Sequence, residues 1–195
     1  MHFTKTEIGI LKEFASKITE SFTIREIAKR LKQNYSIVYS AVQNLHKNSF
    51  LIKDRHKNFS LNKKNYQNLA YIEQLRAEEF LKKNKEIAIF VEDAIEKANL
   101  GFFSLLLFGS YAEGKQRKRS DIDILMIIEN LEDTEKTERW LQQISERHGN
   151  FHCSVISKES VKEMAAQKEK LNVINETLNK HIIFFGAGDY YRLIS

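Results

Sequence analysis

The chain has 195 residues, 42% of them hydrophobic and 29% charged, with a formal net charge of +5. That balance suits a water-soluble globular protein with room for one large domain or two small ones. It excludes a transmembrane helix, since no run of about 18 apolar residues occurs, and the single cysteine, Cys153, excludes an internal disulfide.

The lone cysteine fits a reducing compartment, and the charges within MHFTKTEIGILKEF come too early for a signal peptide, so a cytoplasmic location with no membrane partner is expected. Residues 1–65 hold 13 Lys and Arg against 5 Asp and Glu, a net of +8, while residues 66–195 come to −3. A basic module on a mildly acidic one points to a polyanion as partner of the first; a solvated basic surface is the alternative.

In chain order, TEIGILKEFAS (6–16) places Ile8, Leu11, Phe14 and Ala15 at helical spacing, with Thr6 as N-cap. TIRE, from Thr23 to Glu26, is a capping box that opens a second helix with Ile24, Ile27, Ala28 and Leu31 inward. After the polar turn Lys32-Gln33-Asn34, a third helix runs from Tyr35 to Lys47, with Ile37, Val38, Ala41, Val42 and Leu45 at core spacing. The strand FLIKD, a polar tip at Arg55-His56-Lys57-Asn58 and the returning strand FSLN follow. This order resembles the winged helix-turn-helix family of DNA-binding domains over about 60 residues. The resemblance implies that the third helix enters the major groove and that the hairpin tip meets the backbone. Tyr35, Ser36, Tyr39, Ser40, Gln43 and Lys47 would then face duplex DNA. Ser36 and Gln43 would read base edges, and Lys47, Arg55 and Lys57 would neutralise phosphates. A protein-interaction module of the same shape is the alternative.

Residues 66–84 predict a connecting helix whose apolar stripe either packs on its own domain or pairs with a second copy in a homodimer. A further amphipathic helix, KEIAIFVEDAIEKANL (85–100), ends at Asn99 and Gly101. From there the pattern alternates: strand 102–108, a short helix from Ser110, strand 121–128, helix 132–147, strand 151–157, more helices, and a final apolar piece HIIFFGAGDYYRLI. Continuous apolar strands between helices predict an α/β domain with a covered sheet. Trp140 and the pair Tyr190-Tyr191 read as core aromatics.

The chemistry concentrates in LLLFGSYAEGKQRKRSDIDILMII (105–128). Alternation along a strand sends Asp121 and Asp123 to one face, where two carboxylates repel each other unless a cation or several donors attend them. Magnesium (Mg2+) suits such hard oxygen ligands and keeps positions free for water and phosphate. Upstream, a strand end, Gly109, Ser110 and a helix start give the geometry of a phosphate cradle. Lys115, Arg117, Lys118 and Arg119 add charge that can clamp a leaving pyrophosphate; a solvated loop is the alternative.

The stretch GSYAEGKQRKRSDIDILMI resembles the G-S-x-A-x-G…S-D-x-D-[LI] signature of the DNA polymerase beta-like nucleotidyltransferase superfamily, nearest its minimal members. Gly109, Ser110, Ala112, Gly114, Ser120, Asp121 and Asp123 match at that spacing. The resemblance, covering about residues 85–195, implies an α/β nucleotidyltransferase domain built on a small mixed sheet with helices, preceded by the winged helix-turn-helix domain. It implies that Gly109, Ser110, Lys115, Arg119 and Ser120 bind a nucleoside triphosphate, ATP or another NTP, and that Asp121 and Asp123 bind Mg2+. It further implies transfer of AMP to a hydroxyl of a protein acceptor, such as a toxin-like partner. The chain departs from the family at the next strand, where a third carboxylate is usual. Asn150, His152 and Ser154 alternate there, leaving His152 to face the aspartates as a base, with Glu159 a poorer candidate. If catalysis is lost with that carboxylate, the chain reads as a nucleotide-sensing, DNA-binding transcription regulator.

Overall fold

The computed structural model describes residues 2–117, 120–167 and 172–195. The N-terminal part holds helices α1 (Lys5–Ala15), α2 (Ile24–Leu31) and α3 (Tyr35–Lys47). Strands β1 (Ser21–Phe22), β2 (Leu51–Lys53) and β3 (Phe59–Leu61) form an antiparallel sheet in the order β1-β3-β2. Thr23 and Glu26 form the capping box at the start of α2. Thr4, not Thr6, caps α1: its hydroxyl accepts from the Glu7 amide and its own amide donates to the Glu7 carboxylate, a second capping box. On α3 the inward stripe is Val38, Val42 and Leu45. Ile37, expected inside, is 54% exposed, because one residue's step around the helix turns it about 100° away from that stripe.

The predicted connector is helix α4 (Tyr66–Leu81), followed by α5 (Lys85–Lys97). Strands β4 (Phe103–Phe108), β5 (Ile122–Ile128), β6 (Phe151–Ser157) and β7 (His181–Phe185) make a second sheet in the order β6-β5-β4-β7. Pairings β4–β5 and β4–β7 are antiparallel and β5–β6 is parallel, so the sheet is mixed. The parallel pair needs a crossover, which α7 (Thr134–Ser145) supplies. The short α6 (Gly109–Ala112) leaves β4, and α8 (Lys158–Ala166), α9 (Val173–Thr177) and α10 (Ala187–Leu193) complete the chain. Strand β5 begins at Ile122 rather than at Asp121, which precedes it.

All six residues of β4 are buried because helices cover both sheet faces, which is why its sequence is a continuous apolar run. Leu105, Leu107, Ile124 and Met126 pack with Phe90, Val91 and Leu141 of α5 and α7. Leu106, Leu125 and Ile183 pack with Leu69, Ile72, Tyr190 and Tyr191 in a cluster that continues into Ile10, Phe14 and Leu45 of the N-terminal helices. Helix α4 therefore joins the two parts through a shared core rather than as a tether. Cys153 lies in the first of these layers, and burial pushes its thiol up to about 12, so it stays protonated at neutral pH.

One charged cluster sits inside the shared core. Both oxygens of Glu73 accept from Arg76 Nη1, at 2.8 and 2.6 Å, and Oε1 also accepts from the Tyr191 hydroxyl at 2.7 Å. Arg76 Nη2 donates to the His181 carbonyl at 2.7 Å, tying α4 to β7. Burial would raise the Glu73 carboxyl, but Arg76 and His181 outweigh it and hold it below its usual range. Removing one member of a buried pair strands the other's charge, at a cost of about 3–5 kcal/mol. Glu73→Ala is therefore expected to destabilise the chain by that amount in urea denaturation. Tyr191→Phe, which leaves the ion pair intact, is expected to cost only about 1 kcal/mol.

Candidate functional site

Strand β4 ends at Phe108, which pairs with Asp123 of β5. The chain then turns sharply, with Gly109 at φ +71°, a left-handed conformation that favours glycine. A Cβ at position 109 would lie 2.5 Å from Oδ2 of Asp123. The glycine is required twice over: for its backbone angle and for the carboxylate seated against its Cα. Ser110 follows directly, in the first turn of α6.

The parallel register of β5 and β6 sets Asp123 opposite His152 and Ile122 opposite Phe151. His152 Nδ1 lies 3.6 Å from Asp123 Oδ1, on an imidazole 68% exposed to solvent. Asp121 is exposed ahead of the strand, and its Oδ1 accepts from the side-chain amide of Asn150. The Ile122 amide donates to the Asn150 carbonyl at 2.9 Å, so the two strands are already joined at this end. Asp121, Asp123, Asn150 and His152 thus share one rim, while Ser154, opposite Leu125, stands one step inward.

The Asp123 carboxyl is raised above its ordinary value. Partial burial is the main cause; the charges of Glu176 and Asp121 add to it, and His152 partly offsets it. Glu176 belongs to α9, so the second helix after β6 brings a third carboxylate within electrostatic reach. No motif marks it, and its nearness comes only from the packing of α9 on the sheet. An aspartate whose charge is disfavoured, with a second carboxylate close by, suits a divalent cation, and Asp121 and Asp123 offer the hard oxygens for it. Among the described residues no group of three or more His, Cys, Asp or Glu is gathered for a metal. Magnesium here would complete its shell with water and phosphate oxygens.

The cationic candidates are dispersed. Lys115 is exposed, its ammonium 3.5 Å from Glu113, and Lys180, just before β7, approaches the same carboxylate at 3.8 Å. Lys180 is a second cation near the cradle that the sequence pattern does not flag. The Ser120 hydroxyl, just ahead of Asp121, accepts from the Arg117 amide at 2.8 Å. Lys118 and Arg119 lie outside the described residues. In the N-terminal part, Ser36, Tyr39 and Lys47 are exposed along α3 and Gln43 is half-buried. Arg55 and Lys57 are exposed on the hairpin tip, which Asp54 braces by accepting from the His56 and Asn58 amides.

A family model described as polymerase beta, nucleotidyltransferase matches residues 76–186. No curated protein gives a match. Among solved structures, the crystal structure of the Thermotoga maritima IclR aligns with 54% of this chain at 17% identity and a TM-score of 0.29. The chain spans 39% of that structure's length, and the likeness carries no argument.

The raised Asp123 carboxyl has a consequence for stability. Its ionised form is disfavoured in the folded state, so it costs stability at pH values above its raised folded value. The cost disappears as pH falls to the unfolded value, about 3.9. Asp123→Asn, equal in shape and uncharged, is expected to raise the melting temperature at pH 7, with the gain shrinking toward pH 4. Scanning calorimetry across pH measures both. An unchanged or lowered melting temperature at pH 7 contradicts the electrostatic account of this rim.

Proposed function

The chain belongs to the polymerase beta nucleotidyltransferase family, and on that footing we propose that it transfers AMP from ATP to a hydroxyl of a protein acceptor. The observation that carries this reading is the seating of the Asp123 carboxylate against Gly109. It joins a glycine-serine turn suited to phosphate with a carboxylate pair suited to a metal–nucleotide complex. In this reading Gly109 and Ser110 hold the triphosphate, with Lys115, Arg119 and Ser120 on the loop between cradle and aspartates. Asn150 orients Asp121 through its side-chain amide. Asp121 and Asp123 would hold magnesium, which would supply charge compensation at the phosphates. The acceptor oxygen forms a bond to the α-phosphorus while the bond to the β-phosphate oxygen breaks and pyrophosphate departs with that electron pair. His152, beside Asp123 and open to solvent, takes the acceptor's proton.

Residues 1–65 are proposed as a winged helix-turn-helix that binds duplex DNA, with residues 66–84 as connector and 85–195 as the transferase domain. A toxin-like protein is the acceptor class proposed, the cytoplasm the setting, and a homodimer through α4 a further expectation. Among the described residues no helix is long and apolar enough to cross a membrane. One observation favours a second reading: Asn150, just before β6, and His152 and Ser154 within it bring no carboxylate to the face of Asp123. Without a working base the chain would serve as a nucleotide-sensing transcription regulator.

Incubation with labelled ATP, magnesium and lysate distinguishes the two readings. Transfer of label is expected, and His152→Ala is expected to lower it by about 100-fold or more with ATP binding intact. ATP binding without any transfer would favour the regulator. For the N-terminal part, anisotropy titrations with duplex DNA are expected to give a steep negative slope of log affinity against log salt, reflecting released counterions. No binding to any duplex at low salt would leave residues 1–65 as a protein-interaction module.

A further inference from the structure

The sheet carries a second recess at the end away from the aspartates. Phe103 pairs with Ile128 at one end of the β4–β5 ladder and Phe108 with Asp123 at the other. The two ends are five residues apart, about 17 Å at ~3.4 Å per residue. A cavity of about 570 Å³ opens there, between the loop after α5 and the start of α7. That volume falls within the range of small-molecule sites, about 300–1,000 Å³.

The walls combine an apolar body with a few polar groups. Leu100, Phe102, Ile128 and Trp140 supply the apolar surface. Trp140, expected to be a core aromatic, is only half-buried and faces this cavity. Its indole N–H has no hydrogen-bond partner among the described residues, and no protein ring stacks on it there. Thr137, one helical turn earlier, is only 6% exposed, and its hydroxyl likewise has no partner among the described residues. Among the described residues no buried side-chain polar atom lacks a hydrogen-bond partner, so this hydroxyl reaches the open space of the cavity, where a ligand can meet it.

Four charged side chains line the cavity, and two of them are already committed. Lys97 pairs with Asp93 at 2.9 Å, and Glu129 pairs with Lys158 at 2.6 Å. Lys136 and Asp133 have no ion-pair partner among the described residues. Asp133 precedes α7 without capping it, and its carboxylate accepts only a long contact of 3.4 Å from Asn130. An ammonium and a carboxylate without ion-pair partners, neighbours at the start of α7 and beside an apolar floor, match a zwitterion that carries an apolar ring.

We propose that this cavity is a second ligand site, specific for a free aromatic α-amino acid and separate from the nucleotide rim. The ligand's carboxylate meets Lys136 and the Thr137 hydroxyl, its ammonium meets Asp133, and its ring lies against Trp140 and the aliphatic floor. The chain's single tryptophan sits in the wall, so its emission reports on this site alone.

The test is a titration of L-phenylalanine into the full-length protein, with tryptophan emission excited where phenylalanine does not absorb, and calorimetry in parallel. Saturable binding is expected by both readouts. Hydrocinnamate, which lacks the ammonium, and phenethylamine, which lacks the carboxylate, are expected to bind about tenfold more weakly or worse, since each forfeits a charge-assisted contact. Asp133→Asn and Lys136→Gln, at exposed positions, are expected to weaken phenylalanine binding to a similar degree. Asp121→Ala with Asp123→Ala is expected to leave it unchanged. The proposal is overturned by the absence of saturable binding at millimolar phenylalanine. It is equally overturned if hydrocinnamate binds as well as phenylalanine, or if neither wall substitution weakens binding.

Discussion

The contact between the Asp123 carboxylate and the Cα of Gly109 organises the C-terminal half. It exists because β4 and β5 are antiparallel neighbours in a register that sets Phe108 opposite Asp123, and because the chain leaves β4 through a left-handed glycine. Any side chain at 109 would occupy the space of the carboxylate. The turn into α6 and the direction of the Asp123 side chain are thus one constraint. The phosphate-suited turn and the metal-suited acid stand together only through it.

The chain treats its two acidic clusters in opposite ways. Glu73, wholly buried, is surrounded by Arg76, His181 and Tyr191 until its charge is fully compensated. The cost of burial is met by the pairing, and the cluster fastens α4 to β7 and α10. Asp123 has neighbours that make its charge harder to hold: Asp121 and Glu176 repel it, and the exposed imidazole of His152 offsets them only in part. A carboxylate whose charge its neighbours leave uncompensated has the chemistry that suits a cation, whereas a fully paired one serves the fold.

Much of this was legible in the chain itself. The capping box at Thr23, the helix from Tyr35 and the apolar strands of the second sheet follow from local chemistry and periodicity, and the structure places them there. Errors came where one residue of phase or a competing cap decided the outcome. Thr4 rather than Thr6 caps α1 because Glu7 stands three residues after Thr4 and completes the box. Ile37 is outside because Val38, Val42 and Leu45 set the inward stripe. Trp140, assigned to the core by its apolarity, lines a cavity instead, since an apolar residue on a helix does not specify what stands opposite it.

By itself the sequence determined the glycine-serine turn and the spacing of the two aspartates, because those depend on residue type and spacing along one strand and one turn. It also determined that Asn150 and His152 share a face, since alternation along a strand is local. Only the tertiary structure decided that β5 and β6 are parallel, which sets His152 directly beside Asp123. Packing likewise brought Glu176 of α9 within electrostatic reach of Asp123, and Lys180, just before β7, to Glu113. It left Lys136 and Asp133 unpaired around a cavity at the far end of the sheet. Those relations depend on strand order and on how helices distant in sequence settle over the sheet, and neither is written in any local pattern.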